Sequence, residues 1–154
     1  MRKSTIQILC VTAVIAGCSG GSQNIVGPEL FAYTAISEVT STNPMRFKTT
    51  ATIRNPTADQ IEFVPACNLP RVLVYSTAER TGSVVWDSNT RNAPCAVQSS
   101  VKLAANSQVS YSQTVTGAEV LGASGSAGTY YITDEVTLSG IISRVTAGQI
   151  NLTR

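Results

Sequence analysis

Histidine, the side chain that most often moves protons in enzymes, is absent from this chain, so neither a Ser-His-Asp nor a Cys-His site can be built. Carboxylates could still act as a pair, and Asp134-Glu135 is the only adjacent acidic couple. Neighbouring residues of a strand point to opposite faces, which leaves these two ill placed to share a proton or flank a glycosidic bond. Their expected setting is a bulge with solvated charges. Serine is plentiful, yet no G-x-S-x-G elbow occurs, and no D-x-[DN]-x-[DN]-G loop collects oxygen ligands for calcium. The chain reads as a non-enzyme, with no catalytic residues, cofactor or metal.

Cysteine is the remaining reactive side chain, and its four copies differ in setting. Arg2 and Lys3 precede an apolar stretch from Ile6 to Ala16 that is too short to span a bilayer, and small residues follow it. This is the pattern of a cleaved export signal, and it removes Cys10 from the mature protein. Ile15-Ala16-Gly17-Cys18 closes the segment with an aliphatic residue, two small residues and a cysteine, which resembles the bacterial lipobox. The resemblance implies that Cys18 becomes a diacylglyceryl thioether and the acylated mature N-terminus; the alternative is a plain signal peptide with an incidental cysteine. Cys67 and Cys95 are then left in an oxidising compartment, 28 residues apart, where a disulfide is expected. Such a bridge stabilises a fold by about 3 to 4 kcal/mol in the chain-entropy account. A redox or zinc role has little support, since the chain has no CxxC and no histidine.

The elements that carry these residues follow from composition and periodicity. Removing residues 1–17 of 154 leaves 137, enough for one core, with nine basic residues against nine acidic ones once Arg2 and Lys3 are gone. Lys and Arg are dispersed, which argues against nucleic-acid binding. Residues 18–28 are Gly- and Ser-rich and read as a flexible tether, leaving 29–154 as the folded domain. Residues 29–39 form a plausible first strand. Met45, Phe47, Thr49, Ala51 and Ile53 then alternate with Arg46, Lys48, Thr50, Thr52 and Arg54, the pattern of a strand with one buried face. Asn55-Pro56-Thr57 turns the chain, and Ile61 and Phe63 open a partner strand.

Further strands are expected at 72–75, which is apolar on both faces, and at 83–87. Residues 97–103 and 109–115 alternate on either side of Asn106-Ser107 and read as a hairpin. Residues 117–128 are glycine-rich but lack GK[ST] and open onto a strand, so a mobile loop is expected rather than a phosphate cradle. Strands at 129–132, 136–138 and 141–152, the last interrupted at Ala147-Gly148, complete an all-β, immunoglobulin-like antiparallel sandwich of about seven to nine strands.

Two residues stand out as partner contacts. Trp86, the only tryptophan, is expected as a core anchor, with an exposed contact as the alternative. Residues 88–94 form a polar loop that Trp86 and Cys95 should brace at its two ends, and Arg91 is the side chain there suited to contacting a partner.

Residues 45–115 resemble the BsuPI family of intracellular proteinase inhibitors. The likeness rests on Ile53-Arg54-Asn55-Pro56-Thr57, alternate apolar Ile61 and Phe63, Val72-Leu73-Val74-Tyr75, and Gly82-Ser83-Val84-Val85-Trp86, which carries one residue more than the family's Gly-x-Val-Trp. The chain departs from the family in its lipobox, its cysteine pair and Ala105-Asn106 in place of Pro-Gly. The resemblance implies an immunoglobulin-like sandwich and proteinase inhibition. Together these readings describe a lipid-anchored, extracytoplasmic interaction module, held to an envelope membrane (the outer one if the cell has one) through acyl chains on Cys18. Its partner would be a protein as yet unidentified, a protease being one candidate, and a membrane-tethered inhibitor is the alternative function.

Overall fold

The computed structural model describes residues 30–91, 95 and 98–154. Cys18, the export signal, the tether and the Asn92-Ala93-Pro94 end of the polar loop lie outside those residues. The strands are β1 (Ala32–Thr42), β2 (Met45–Arg54), β3 (Ile61–Phe63), β4 (Arg71–Tyr75), β5 (Trp86–Asp87), β6 (Val101–Leu103), β7 (Gln108–Thr116), β8 (Gly128–Leu138) and β9 (Ile141–Leu152), with one short helix, α1 (Gly117–Leu121). The architecture is an antiparallel, all-β sandwich, as expected. One layer has the order β1-β2-β7, the other β5-β4-β8-β9, and β3-β6 forms a separate ribbon.

Period-two alternation builds the layers. In β2, Met45, Phe47, Thr49, Ala51 and Ile53 are buried while Arg46, Lys48 and Arg54 are exposed, matching the expected strand residue for residue. The first strand begins three residues later than expected, at Ala32. The 83–87 strand shrinks to Trp86 and Asp87, with Val84 and Val85 exposed before it. The β8–β9 hairpin turns on Ser139 and Gly140, whose φ values of 48° and 81° are the positive pair that a two-residue type I′ turn needs. Between Ile132 and Thr133 the β8–β9 register shifts, and the Ala147-Gly148 interruption is the bulge that accommodates it.

Three expectations need correction. Residues 97–103 and 109–115 do not pair as a hairpin: β6 pairs with β3 and β7 pairs with β2, although the chain does turn tightly between them. Alternation marks a strand's faces and leaves its partner open. The glycine-rich 117–128 segment begins with a capped helix, in which Thr116 and Glu119 form a reciprocal capping box. Asp134 and Glu135 do point to opposite faces, but neither is solvated; both are buried.

The core falls into two clusters. Met45, Phe47, Val72, Val74, Val115, Val120, Ile132 and Leu152 belong to one. Phe31, Ala51, Ile53, Phe63, Leu103, Val136 and Leu138 belong to the other. Between them runs a polar layer. Thr49 stands between Phe47 and Ala51, Gln113 between Tyr111 and Val115, and Asp134 between Ile132 and Val136, while cross-strand register places Ser37 and Gln113 beside Thr49 on the same face.

Candidate functional site

Trp86 opens β5, paired with Val74, and its half-buried ring packs against the first core cluster. It is therefore an anchor with one face left over. That face carries Arg91, whose guanidinium lies 5.2 Å from the ring centroid. The segment between them is the 3-10 turn Ser88–Arg91, and its placement is over-determined. Ser88 Oγ accepts the Val72 N–H at 2.9 Å, Asp87 Oδ1 accepts the Asn89 N–H at 2.9 Å, and Thr90 Oγ1 donates to the Asp87 carbonyl at 2.7 Å.

Arg91 in turn is tied to the body of the sandwich. Its guanidinium donates to the Thr114 carbonyl at 2.9 Å, to Glu119 Oε2 at 3.1 Å and to Gln113 Oε1 at 3.3 Å. Gln113 uses its amide N–H groups on the carbonyls of Asn68 and Pro70, both at 2.7 Å. Asn68 follows Cys67, which is disulfide-bonded to Cys95 as expected, with Cα atoms 5.6 Å apart. The four described candidates, Trp86, Arg91, Cys67 and Cys95, thus belong to one corner, linked through Gln113. Burial raises the Glu119 carboxyl, but the Thr116 N–H and hydroxyl and the Arg91 guanidinium outweigh it and hold Glu119 below its ordinary range.

The outer face of the β5-β4-β8-β9 layer carries a second charged group of residues. Arg71 pairs with Asp87 and with Glu135 at 2.8 Å, and Arg144 reaches the other oxygen of Glu135 at 3.0 Å. Hydrogen bonding from Arg71 lowers Asp87 and, reciprocally, Asp87 raises Arg71. On the inner face, Asp134 receives the Thr49 hydroxyl at 2.7 and 2.8 Å, and burial pushes its carboxyl up to about 6 despite that bond. Two adjacent acids thus have separate environments and do not converge on one reacting point.

Gln113, Glu119, Arg71 and Asp87 were not anticipated as parts of these sites. Thr116-Gly117-Ala118-Glu119 carried a readable signal, the S/T-x-x-E spacing of a capping box. Gln113 carried none, because its partners lie 43 and 45 residues away. Among the described residues no three His, Cys, Asp or Glu side chains gather as metal ligands, and no helix is long and apolar enough to cross a membrane.

No family model matches the chain, and no curated protein matches it. Among solved structures, a Northeast Structural Genomics Consortium target is similar over 82% of this chain and 88% of its own, at 14% identity and a TM-score of 0.37. The putative ApaA protein from Bordetella pertussis is similar over 80% of this chain and 92% of its own, at 13% identity and a TM-score of 0.39. A β-glucosidase from Listeria innocua in complex with glucose aligns with 79% of this chain across 17% of its own, at 12% identity and a TM-score of 0.36. Likenesses of this size assign neither a family nor an activity.

Proposed function

We propose that this protein is a lipid-anchored, extracytoplasmic module of the cell envelope that binds another protein through the corner formed by Trp86, the Ser88–Arg91 turn and the Cys67–Cys95 bridge. The observation that carries the reading is the bracing of that corner. A surface segment fixed at Ser88, Asp87 and Arg91 has already met most of its ordering cost, and what it presents to a partner is a preformed shape. The disulfide suits an oxidising compartment, in keeping with the lipobox at Cys18.

The same bracing supports the second reading, a membrane-tethered proteinase inhibitor of the kind the BsuPI resemblance implies, since a cleft-filling loop must be rigid. Arg91 weakens it as the inserted side chain, because entering a cleft would cost its contacts to Glu119, Thr114 and Trp86.

Photo-cross-linking in intact cells tests the proposal. A benzophenone side chain at Thr90, exposed on the turn, should give a discrete protein adduct, whereas one at Ser112, exposed on the far face of β7, should not. Equal labelling from both positions, or none from Thr90, would sink the corner as the contact. Stoichiometric inhibition of a serine protease by the purified protein would promote the second reading.

A further inference from the structure

The two outer faces of the sandwich carry charge differently. On the β5-β4-β8-β9 face cations and acids neutralise one another, Arg71 with Asp87 and Glu135, and Arg144 with Glu135. On the β1-β2-β7 face, β2 presents Arg46, Lys48 and Arg54 to solvent, β7 adds no charge, and the one acid is Glu38 of β1, opposite Lys48. Among the described residues neither an ion pair nor a hydrogen bond engages any of these three cations. The contrast belongs to this face: the other described arginines, Arg71, Arg80, Arg91, Arg144 and Arg154, all donate to a carboxylate or a carbonyl.

Between the cations the face is built of short hydroxyls and one apolar side chain. Thr50 meets Ser112 at 2.9 Å and Thr52 meets Ser110 at 2.8 Å, so each pair shares one proton and leaves the other free to donate outward. Ile36, 55% exposed, stands beside Thr50 on β1. Cations and hydroxyl donors suit phosphate oxygens, and an exposed aliphatic group suits the boundary between headgroups and acyl chains. A soluble polyanion would use the first and gain nothing from the second. Cys18 lies fourteen positions before Ala32, which opens β1 opposite Arg54, so an anchor there stays within roughly 50 Å of this face.

We propose that the outer face of β1-β2-β7 docks on the anionic headgroups of the membrane that holds the chain, with Arg46, Lys48 and Arg54 on lipid phosphates and Ile36 entering between them. The orientation rests on the lipid anchor proposed at Cys18, which keeps the domain near the surface without choosing the side turned to it. β2 is the central strand of its layer, with a ladder on either side, so the spacing of its three cations is set before contact. Docked this way, the Trp86 corner, which meets β7 through Arg91 and the Thr114 carbonyl, stays open to a partner.

Lysine footprinting of the chain purified from membranes and placed in vesicles tests this. Beyond the export signal the lysines are Lys48 and Lys102, and Lys102 is exposed on β6, across the second core cluster from β2. Replacing vesicles of zwitterionic lipid by an equal mixture with phosphatidylglycerol should slow the reaction of Lys48 with an amine-reactive ester about fivefold relative to Lys102, the factor one cation gains at such a surface. Salt at about 1 M should restore the rate, because it screens charges beyond about 3 Å. Arg46→Gln combined with Arg54→Gln, both at exposed positions, should lose the slowing. An unchanged ratio of the two lysines overturns the docking, as does slowing that the double variant keeps in full. Slowing by soluble polyglutamate but not by phosphatidylglycerol overturns it in favour of an acidic protein. Retention on the vesicles at high salt reports the anchor by itself, so a failed anchor and a failed face give different results.

Discussion

Asn55 uses its side chain on the backbone of two turns at once. Its Nδ2 donates to the carbonyls of Asp59 at 2.7 Å, Ala104 at 3.0 Å and Leu103 at 3.2 Å, while Oδ1 accepts the Thr57 N–H at 2.9 Å and the Thr57 hydroxyl at 2.7 Å. The residue is fully buried, so truncation would strand several backbone groups away from water. Asn55→Ala should therefore cost about 2 to 4 kcal/mol, read as a lower urea midpoint with an unchanged slope. A loss of a few tenths would mean the turns hold themselves. At this scale the sequence was only partly legible. Asn55-Pro56-Thr57 announces a turn through its own chemistry, but the carbonyls that Asn55 grips lie 48 and 49 residues away. Asp134 is the sharper case. Strand parity correctly separates it from Glu135, yet it is fully buried and its hydrogen-bond partner Thr49 lies 85 residues distant on the other layer, which nothing local reports.

Elements were legible where a single rule decides them. β2 could be bounded to the residue because alternation runs unbroken from Met45 to Arg54 and a proline turn ends it. β6 and β7 could be placed but not paired, since each pattern names a buried face and leaves the neighbour open. Helix α1 was hidden by composition: glycine dominates residues 117–128, and five helical residues are too few for a periodicity to emerge. What specifies it is the box at Thr116 and Glu119, in which Thr116 Oγ1 accepts the Glu119 N–H at 3.2 Å and Glu119 Oε2 accepts the Thr116 N–H at 2.7 Å. Gly117 is part of the same design, because a Cβ there would sit 2.2 Å from the Thr153 carbonyl. Thr116→Ala removes half the box and should destabilise the protein by about 1 kcal/mol in thermal denaturation. The exchange of amides 117–121 should rise with it. Unchanged protection there would show that Val120 and Leu121, buried in the first core cluster, hold the helix without its cap.

Across the whole molecule, carboxylates pull stability in opposite directions as pH changes. Asp87 and Glu119 are held below their ordinary values of 3.8 and 4.5, so their contribution is present above those values and is lost as pH falls through and below them. Asp134 is raised from 3.8 to about 6, so its contribution is complete below 3.8 and is lost as pH rises through about 6. A shift of that size corresponds to about 3 kcal/mol between the two limits. The Asp134 contribution begins to fall near 3.8 and is nearly gone by about 6, while those of Asp87 and Glu119 are complete above about 4.5, which places the stability maximum at about pH 4 rather than at neutrality. Urea midpoints measured at fixed ionic strength should climb from pH 3, peak at about pH 4 and decline to a plateau above about pH 7. Raising the salt concentration should flatten the acid limb more than the neutral one, because Glu119 and Arg91 are partly exposed and screened, whereas Asp134 faces no solvent. Midpoints that rise steadily to pH 8 would mean that Asp134 is ionised in the native core at every pH tested, and that burial does not raise its carboxyl.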